Sequence, residues 1–294
     1  MPKLRFAKIS PGGNPTLLLE AGQVEAPRRA ATAVALMSPL HLRAEQAGFV
    51  DWQSPSPRLE MMGGEFCLNA VRALAYEMLR RGRFLPLRGS EDLFALAQCS
   101  GLPGTVQVRV RENAGENAAE CHVLLRLEPA GQSLIPLEEG LVLARLPGIA
   151  HLLLDEEKHP PETDFAEEAA RLLERFHLLL MHEPACGIIR HRPCPPRILL
   201  EKGLGAGEGL SITPLVHVAA TGSYVRESAC GSGSLALALA LARSRGDSAL
   251  LLHVLQPSGE FLRLFLDFSR PGLCLAEVGG RVSLIAEGET APAM

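Results

Sequence analysis

GGEFCLNAVRALAYEMLRRG, residues 63–82, places one cysteine behind two glycines and in front of a helical pattern. ESACGSGSLALALALARSRG, residues 227–246, repeats this arrangement about half the chain later. In the first segment Cys67 lies on an apolar stripe with three- and four-residue steps, and two arginines and a glycine end the pattern. In the second, the Ala/Leu run 235–242 favours a helix that is buried on all sides. We therefore predict two buried helices, related by internal duplication, that each begin at a cysteine.

A thiol in the first turn of a helix faces unpaired backbone N–H groups and the positive end of the helix dipole. Both effects lower its pKa from ~8.5 toward neutrality. Small residues around each cysteine leave N–H groups free to bind a carboxylate. Inverting a stereocentre beside a carboxylate requires a base on one face of Cα and an acid on the other. We predict that Cys67 and Cys230 are this pair, with one ionised and one protonated.

The length of 294 residues predicts two domains, each large enough for its own core. We place the first at 1–132, joined by a closing strand at 276–294, and the second at 133–275. The polar stretch Glu128–Ser133 is the predicted linker. Each half reads as strands around helices, so the predicted fold class is α+β, with the same pattern occurring twice.

Hydrophobic periodicity gives a coarse set of elements. Predicted strands fall at 4–19 (a hairpin), 105–127 (a meander), 141–144, 151–154, 197–200, 215–219, 248–268 and 274–288. Predicted helices besides the two cysteine helices fall at 26–37, 90–98 and 163–181. The proline-rich end of the segment 182–194 favours a loop there.

Composition indicates a small-molecule partner. A net charge of −4 gives no electrostatic reason to expect nucleic acid or an anionic membrane. We expect a cytoplasmic protein with no membrane segment, because the sequence has neither an apolar run of ~18 residues nor a signal peptide. Seven cysteines without framework spacing favour free thiols. No metal site is predicted, since His182, Cys186, His191 and Cys194 lack zinc spacing. The sequence leaves a homodimer open.

A family resemblance agrees with this chemistry. GGEFCLNA and ESACGSGS resemble the two cysteine motifs of the diaminopimelate epimerase superfamily of cofactor-independent amino acid racemases. FAKISPGGNPT, PGIAHLLLDE (147–156) and GRVSLIAEGE resemble its N-terminal element, the opening of its second domain and its closing strand. These matches lie in order and cover nearly the whole chain. The resemblance implies two pseudo-symmetric domains, each a strand barrel around a central helix, with the site between them and no cofactor.

The resemblance also assigns roles. Cys67 and Cys230 would be the acid and base, and His151 would lie near Cys67 and help to set its ionisation. Glu65 and Glu227 match carboxylates of the histidine racemase subgroup described below, and could assist the thiols or bind an imidazole. The implied substrate-binding residues are Asn14, Gly64, Leu68, Asn69, Arg226, Gly231 and Ser232.

Departures from the diaminopimelate epimerase pattern bear on the substrate. Cys67-Leu68-Asn69-Ala70 stands where those enzymes have C-G-N-G, and GSYVRES stands where they have E-R-G-x-G-E-T. GGEFC, GN-x-T and ES-x-CGSG resemble instead the histidine racemases of staphylopine-type metallophore biosynthesis. We rank histidine first and diaminopimelate second, because Arg226 could meet a distal carboxylate. A third alternative is a binding protein without turnover, although such a protein would need neither thiol.

Overall fold

The computed structural model describes residues 3–86, 90–112, 117–127, 134–161, 164–204, 208–219 and 222–291. The chain divides into two compact units. The N-terminal unit comprises Met1–Leu125 and Glu277–Met294, and the C-terminal unit comprises Arg126–Ala276. The predicted linker, Glu128–Ser133, lies outside the described residues, so the domain boundary within it stays a prediction.

Seventeen strands and six α-helices form among the described residues. The strands are β1 (Leu4–Pro11), β2 (Thr16–Glu20), β3 (Gln46–Asp51), β4 (Arg58–Met61), β5 (Leu85–Pro86), β6 (Leu93–Cys99), β7 (Val106–Glu112), β8 (Ala118–Leu127), β9 (Leu134–Glu138), β10 (Leu141–Leu146), β11 (Ile149–Asp155), β12 (Ala185–Pro193), β13 (Gly209–Val218), β14 (Ser223–Arg226), β15 (Ala249–Leu255), β16 (Phe261–Asp267) and β17 (Cys274–Thr290). The helices are α1 (Arg29–Met37), α2 (Leu68–Arg80), α3 (Phe165–Arg175), α4 (His177–Leu180), α5 (Pro196–Glu201) and α6 (Gly231–Arg245). Short 3-10 turns precede α1 at Ala21–Gln23 and Ala26–Arg28.

The N-terminal unit is a closed ring of eight strands around a helix. The strands β1 and β2 pair antiparallel, β2 and β3 parallel, β3 and β4 antiparallel, and β4 and β6 parallel. Antiparallel pairs then lead from β6 through β7 to β8, and β17 pairs with both β8 and β1 to close the ring. Nearly every residue of α2 is buried, and the helix contacts β1, β2, β3, β6 and β7. The first cysteine helix is therefore the central helix of this barrel.

The C-terminal unit repeats the same order of pairing. The strands β10 and β11 pair antiparallel, β11 and β12 parallel, β12 and β13 antiparallel, β13 and β15 parallel, and β15 and β16 antiparallel. Its second cysteine helix, α6, contacts β10, β11, β15 and β16. An additional helical layer is repeated as well, with α1 packed on β1–β3 and the pair α3 and α4 packed on β10–β13. The predicted α+β class and the predicted resemblance between the halves are confirmed at the level of strand pairing.

Most of the predicted elements are present, but the helix predicted at 90–98 is wrong. That segment holds β6, whose residues from Leu93 to Ala97 pair with Val110 to Val106 of β7. The Ser90 side chain accepts from Asp92 N at 3.0 Å without starting a helix. Pairing with β7 decides the conformation of this segment. Local helix propensity does not take such a distant contact into account.

Two further predictions were wrong in the C-terminal unit. The strand predicted at 197–200 is helix α5, which has proline in its first turn, a position that proline favours. The segment predicted as a loop, 182–194, contains β12, which lies between β11 and β13 with its apolar residues buried. A strand with neighbours on both sides carries a continuous apolar run rather than an alternating pattern.

The helix predicted at 163–181 is interrupted at Phe176, which separates α3 from α4. Asp164 caps its start, with Oδ1 accepting from Ala166 N at 2.8 Å. Within the described part of the chain, every helix is too short or too polar to span a bilayer.

Candidate active site

Cys67 is the N-cap residue of α2, as the sequence predicts. Its backbone is extended (φ −126°, ψ 110°), and its Sγ accepts a hydrogen bond from Ala70 N at 3.4 Å. Gly64 precedes it in an exposed turn with φ +77°, a conformation that favours glycine. The thiol is half-buried and lies against the backbone N–H of Ala70 in the first helical turn.

A chain of buried amide and hydroxyl groups connects Cys67 to Asn14. The Cys67 thiol donates to Gln46 Oε1 at 2.8 Å, and Gln46 Nε2 donates to Thr16 Oγ1 at 2.8 Å. The Thr16 hydroxyl in turn lies 3.3 Å from the Asn14 backbone oxygen. Sequence reasoning found the two ends of this chain but missed Gln46 and Thr16. They are partners in the parallel β2–β3 register, which the local sequence does not specify.

This chain can serve either form of the Cys67 sulfur. With a thiol present, Gln46 accepts through Oε1, as observed. With a thiolate present, a rotated Gln46 amide can donate through Nε2 while the Thr16 hydroxyl donates to Oε1. In the reversed orientation the Thr16 hydroxyl gives up its hydrogen bond to the Asn14 backbone oxygen, but the Gln46 amide is paired both ways, so Gln46 fits a sulfur that alternates between acid and base.

Glu65 is a buried carboxyl group two residues before Cys67. Its backbone oxygen accepts from the Ser100 hydroxyl at 2.9 Å. Gly101, with φ +71°, packs so closely on the Glu65–Phe66 peptide that a Cβ at this position would overlap it. Glu65 Oε2 is buried without a hydrogen bond partner among the described residues, and burial raises the pKa of this carboxyl group. The site thus holds a fixed acidic side chain with one available oxygen.

Two residues assigned to substrate binding are buried in the N-terminal unit. Leu68 is buried as part of the core. Asn69 is also buried, and its Oδ1 accepts from Arg72 Nη1 at 3.3 Å.

Cys230 is the N-cap residue of α6 and repeats the backbone of Cys67 (φ −130°, ψ 102°). Its Sγ accepts from Gly233 N at 3.4 Å, and a Cβ at Gly233 would lie 3.1 Å from that sulfur. Gln256 Oε1 accepts from Cys230 N at 2.8 Å, and the Ser234 hydroxyl donates to the Cys230 backbone oxygen at 2.7 Å. Gln256, which sequence reasoning missed, also donates to the Ser234 hydroxyl. It therefore fixes the Cys230 backbone directly at the N–H and, through Ser234, at the carbonyl oxygen.

The surroundings of Cys230 favour a protonated thiol. Burial raises its pKa well above the ordinary value, and the charge of Glu227 and a hydrogen bond with Glu227 raise it further. The Gly233 N–H and the Ser232 hydroxyl act in the opposite direction. The expectation that a helix start brings this thiol close to neutrality is therefore wrong here, because desolvation is the larger effect.

His151 lies beside the helix of Cys230. Its Nε2 is 3.0 Å from Ser232 Oγ, which is itself 3.7 Å from Cys230 Sγ. Burial lowers the pKa of His151 to about 3, so the imidazole is neutral near pH 7. Nδ1 has no hydrogen bond partner among the described residues. Because an unpaired N–H is costly, we place the proton on Nε2, where it donates to Ser232 and leaves the serine hydroxyl to donate to sulfur.

Gly187 makes room for this histidine. A Cβ at Gly187 would overlap the His151 ring at Nδ1. In the structure His151 contacts Ser232 in the first turn of α6, and its placement near Cys67, which the resemblance implies, stays a prediction.

The remaining assigned residues lie close to Cys230 in sequence. Gly231 is buried as the first residue of α6. Arg226 ends β14, and its guanidinium donates to both oxygens of Asp164 at 2.8 and 3.0 Å. Both members of this ion pair are more than half exposed.

The other five cysteines are buried and free: Cys99, Cys121, Cys186, Cys194 and Cys274. Burial raises the pKa of Cys99 to about 12 and that of Cys186 to about 11, so both are inert thiols at neutral pH. Across the described ranges, no group of three or more His, Cys, Asp and Glu side chains is placed to hold a metal ion.

Comparisons with known proteins identify the family of the chain. Residues 3–195 and 205–291 match the model of the histidine racemase CntK N-terminal domain. Histidine racemases from two strains of Fusobacterium nucleatum subsp. nucleatum are each 28% identical over 97% of this chain and 96% of their own length.

Solved structures of other proteins share the fold of this chain. A hydroxyproline epimerase from Agrobacterium vitis with bound trans-4-hydroxy-L-proline superposes with a TM-score of 0.61 at 12% identity, covering 99% of this chain and 91% of that one. A Pseudomonas aeruginosa protein described as a predicted epimerase gives 0.56 at 15% identity, covering 99% and 100%. Because the family model spans nearly all of the described residues, the chain belongs to the family of the histidine racemase CntK N-terminal domain.

Proposed function

We propose that this protein interconverts L- and D-histidine without a cofactor, and that Cys67 and Cys230 are its acid and base. Family membership makes the protein an amino acid racemase, as the sequence predicts. The observation that carries the two-thiol assignment is the identical placement of both sulfurs. Each is the N-cap of the central helix of its unit and accepts from the N–H three residues later at 3.4 Å.

In the proposed reaction, the ionised sulfur removes the Cα proton and becomes a thiol. The electron pair left on Cα is delocalised into the substrate carboxylate, which backbone N–H groups at a helix start stabilise. The protonated sulfur then gives its proton to the opposite face of Cα and becomes a thiolate. The product leaves with inverted configuration, and the two sulfurs have exchanged their charge states.

Glu65 supports histidine as the substrate. Its available Oε2 is buried close to Cys67 in sequence and can hydrogen bond with an imidazole nitrogen. A buried polar group selects a substrate that pairs with it, since an apolar side chain would leave it unsatisfied. We assign Glu65 to the imidazole of the substrate on this ground.

The thiol assignment is tested by chiral chromatography of L-histidine incubated with Cys67→Ser, Cys230→Ser and wild type. We expect each variant to lose at least ~100-fold in kcat, the usual size of a general acid–base contribution. Cys99→Ser is the matched control, because Cys99 is a buried thiol of the N-terminal unit outside the helix starts. Near wild-type rates in either variant would remove that sulfur from the mechanism.

Diaminopimelate is the second candidate because of Arg226. Its guanidinium is more than half exposed and pairs with the exposed Asp164, so a distal substrate carboxylate could replace that partner. If diaminopimelate is a substrate, Arg226→Ala should impair its epimerisation far more than histidine racemisation. Equal losses would contradict this role. No turnover of either compound, or of a broad amino acid panel, would favour a binding protein.

A further inference from the structure

The turn between β15 and β16 is a tightly hydrogen-bonded element of the C-terminal unit. Its sequence, Gln256-Pro257-Ser258-Gly259, has proline at the second position of a β-turn, and Gly259 N donates to Gln256 O at 2.9 Å. Gln256 N donates to Glu260 O at 2.9 Å, and Gly259 has φ +84°, a conformation that favours glycine. The turn therefore holds Gln256 in one place at the end of β15.

Hydrogen bonds connect this turn to the segment that leads into α6. Ser258 N donates to Ser228 O at 2.9 Å. The Gln256 side chain, which is 2% exposed, accepts from Cys230 N at 2.8 Å. As the N-cap residue, Cys230 precedes the helical ladder, so its N–H needs an acceptor from outside the helix. A residue 26 positions later in the chain thus fixes the backbone of the cysteine.

The Gln256 amide is held in one orientation. Its Nε2 donates to Ser234 Oγ at 3.1 Å and to Val254 O at 3.0 Å, while its Oε1 accepts from Cys230 N. A reversed amide would set its NH2 group against the Cys230 N–H and its oxygen against the Val254 oxygen. The Ser234 hydroxyl extends the constraint to Cys230 O, to which it donates at 2.7 Å. Gln256 therefore acts as a fixed support, unlike Gln46, whose amide is paired in both orientations.

The position of the Cys230 sulfur follows from the position of this backbone. Sγ lies 3.4 Å from Gly233 N and 3.7 Å from Ser232 Oγ, and a Cβ at Gly233 would lie 3.1 Å from it. A shift of the Cys230 backbone would carry the sulfur away from both groups. A proton-transfer group tolerates little displacement, because a misplacement of about 1 Å can cost about 100-fold in rate.

The N-terminal unit has a corresponding turn after β6. The strands β6 and β15 occupy the same place in the order of strand pairing, and Ser100 and Gln256 are the first residues after them. The Ser100 hydroxyl accepts from Met61 N at 2.9 Å and donates to Glu65 O at 2.9 Å. Each turn thus fixes the backbone of a residue with a proposed role in the reaction, Glu65 in one unit and Cys230 in the other.

We propose that Gln256 is a positioning residue for the reaction, and that it holds the Cys230 sulfur where a proton passes to or from Cα. It acts through the backbone of Cys230 rather than through the sulfur itself. This proposal rests on the acid–base role proposed for Cys230, but the hold on the sulfur can be measured without turnover.

The test combines histidine racemisation kinetics with iodoacetamide alkylation, followed at each cysteine by peptide mass spectrometry. In Gln256→Leu, kcat should fall about tenfold or more and KM should change less than kcat, because the proton-transfer group is misplaced. Alkylation of Cys230 should become about tenfold faster, since the opening that exposes this buried thiol no longer breaks the Gln256 hydrogen bonds. Alkylation of Cys186 and Cys274, buried thiols of the same unit, should stay unchanged.

Ser234→Ala removes only the indirect link to Cys230 O, so it should produce smaller changes of the same kind. Gln107→Leu is the control, because Gln107 is an exposed glutamine on β7. It should match the wild type in both measurements.

Wild-type kcat and wild-type alkylation of Cys230 in a folded Gln256→Leu protein would overturn the proposal. So would equal acceleration at all three buried thiols, which indicates general destabilisation of the unit. If Gln256→Leu does not fold, wild-type behaviour of Ser234→Ala overturns the proposal instead. If Cys230→Ser stays active while alkylation accelerates at Cys230 alone, the proposed function fails and the placement of the sulfur by Gln256 stands.

Discussion

The two proposed acid–base sulfurs share one backbone geometry but have different partners. Cys67 donates to a buried glutamine, whereas Cys230 lies beside Ser232, which in turn contacts the neutral His151. A glutamine amide can reverse its orientation, while a neutral imidazole fixes the direction in which Ser232 donates. The duplicated helix start therefore supplies the same functional group twice, and residues from other strands differentiate the two copies.

Gln46→Leu should lower kcat for histidine racemisation about tenfold or more. The substitution removes the group that solvates both forms of the Cys67 sulfur, and a lost buried hydrogen bond costs about 1–3 kcal/mol. Steady-state rates measured from both enantiomers test this expectation. Gln107→Leu is the matched control, because Gln107 is an exposed glutamine on β7. A folded Gln46→Leu protein with wild-type kcat would show that the amide has no part in the reaction.

The buried imidazole of His151 makes a pH-dependent contribution to stability. Its pKa is lowered to about 3 in the folded protein, so below about pH 6.5 the unfolded chain binds a proton that the folded chain does not. Stability should therefore fall as the pH drops from about 6.5 toward 3. The loss should approach 1.4 kcal/mol per pH unit. His151→Gln should lack this component, while keeping a neutral donor for Ser232. Urea unfolding of both proteins at pH 7 and pH 5 measures the difference, and parallel losses would contradict a neutral His151.

At the scale of single elements, the helices were predictable where the chain itself carries the start and stop signals. The second cysteine helix ends where the sequence indicates, at Gly246 in the left-handed conformation with φ +71°. In contrast, β6 and β12 depend on pairing partners elsewhere in the chain, and both were missed. The same dependence on distant partners explains why Gln46 and Gln256 were missed. Both belong to strands or strand ends that approach the cysteines only after folding.

Gly246→Ala should reduce the free energy of unfolding by about 1 kcal/mol, because a left-handed backbone is costly for a residue with a Cβ. The cost should be conformational, as nothing lies within 4 Å of a Cβ built at this position. Gly246→Asn should recover part of the loss, since asparagine tolerates this conformation better. Gly22→Ala is the control, with equally open space and no positive φ. Equal unfolding midpoints in all four proteins would show that this cap does not contribute to stability.

At the scale of the whole molecule, the alternation of antiparallel and parallel pairs in one unit recurs in the other. The sequence predicts this duplication from two short motifs, because a cysteine between small residues and a buried helix is an unusual local pattern. It does not reveal the register of the sheets, which brings Thr16 beside Gln46 and Gly187 beside His151. A duplicated unit would account for the two similar proton-transfer groups that we propose, one for each face of the stereocentre.

The central claim, that two separate groups act on the two faces of Cα, is tested most directly by hydrogen exchange during turnover. Wild-type protein is incubated with L-histidine in deuterium oxide, and both enantiomers are isolated early and analysed by mass spectrometry. We predict that the D-histidine formed carries deuterium at Cα while the remaining L-histidine keeps its protium, because each face has its own acid. Deuterium entering L-histidine as fast as D-histidine forms would show that a single group serves both faces, and would contradict the account.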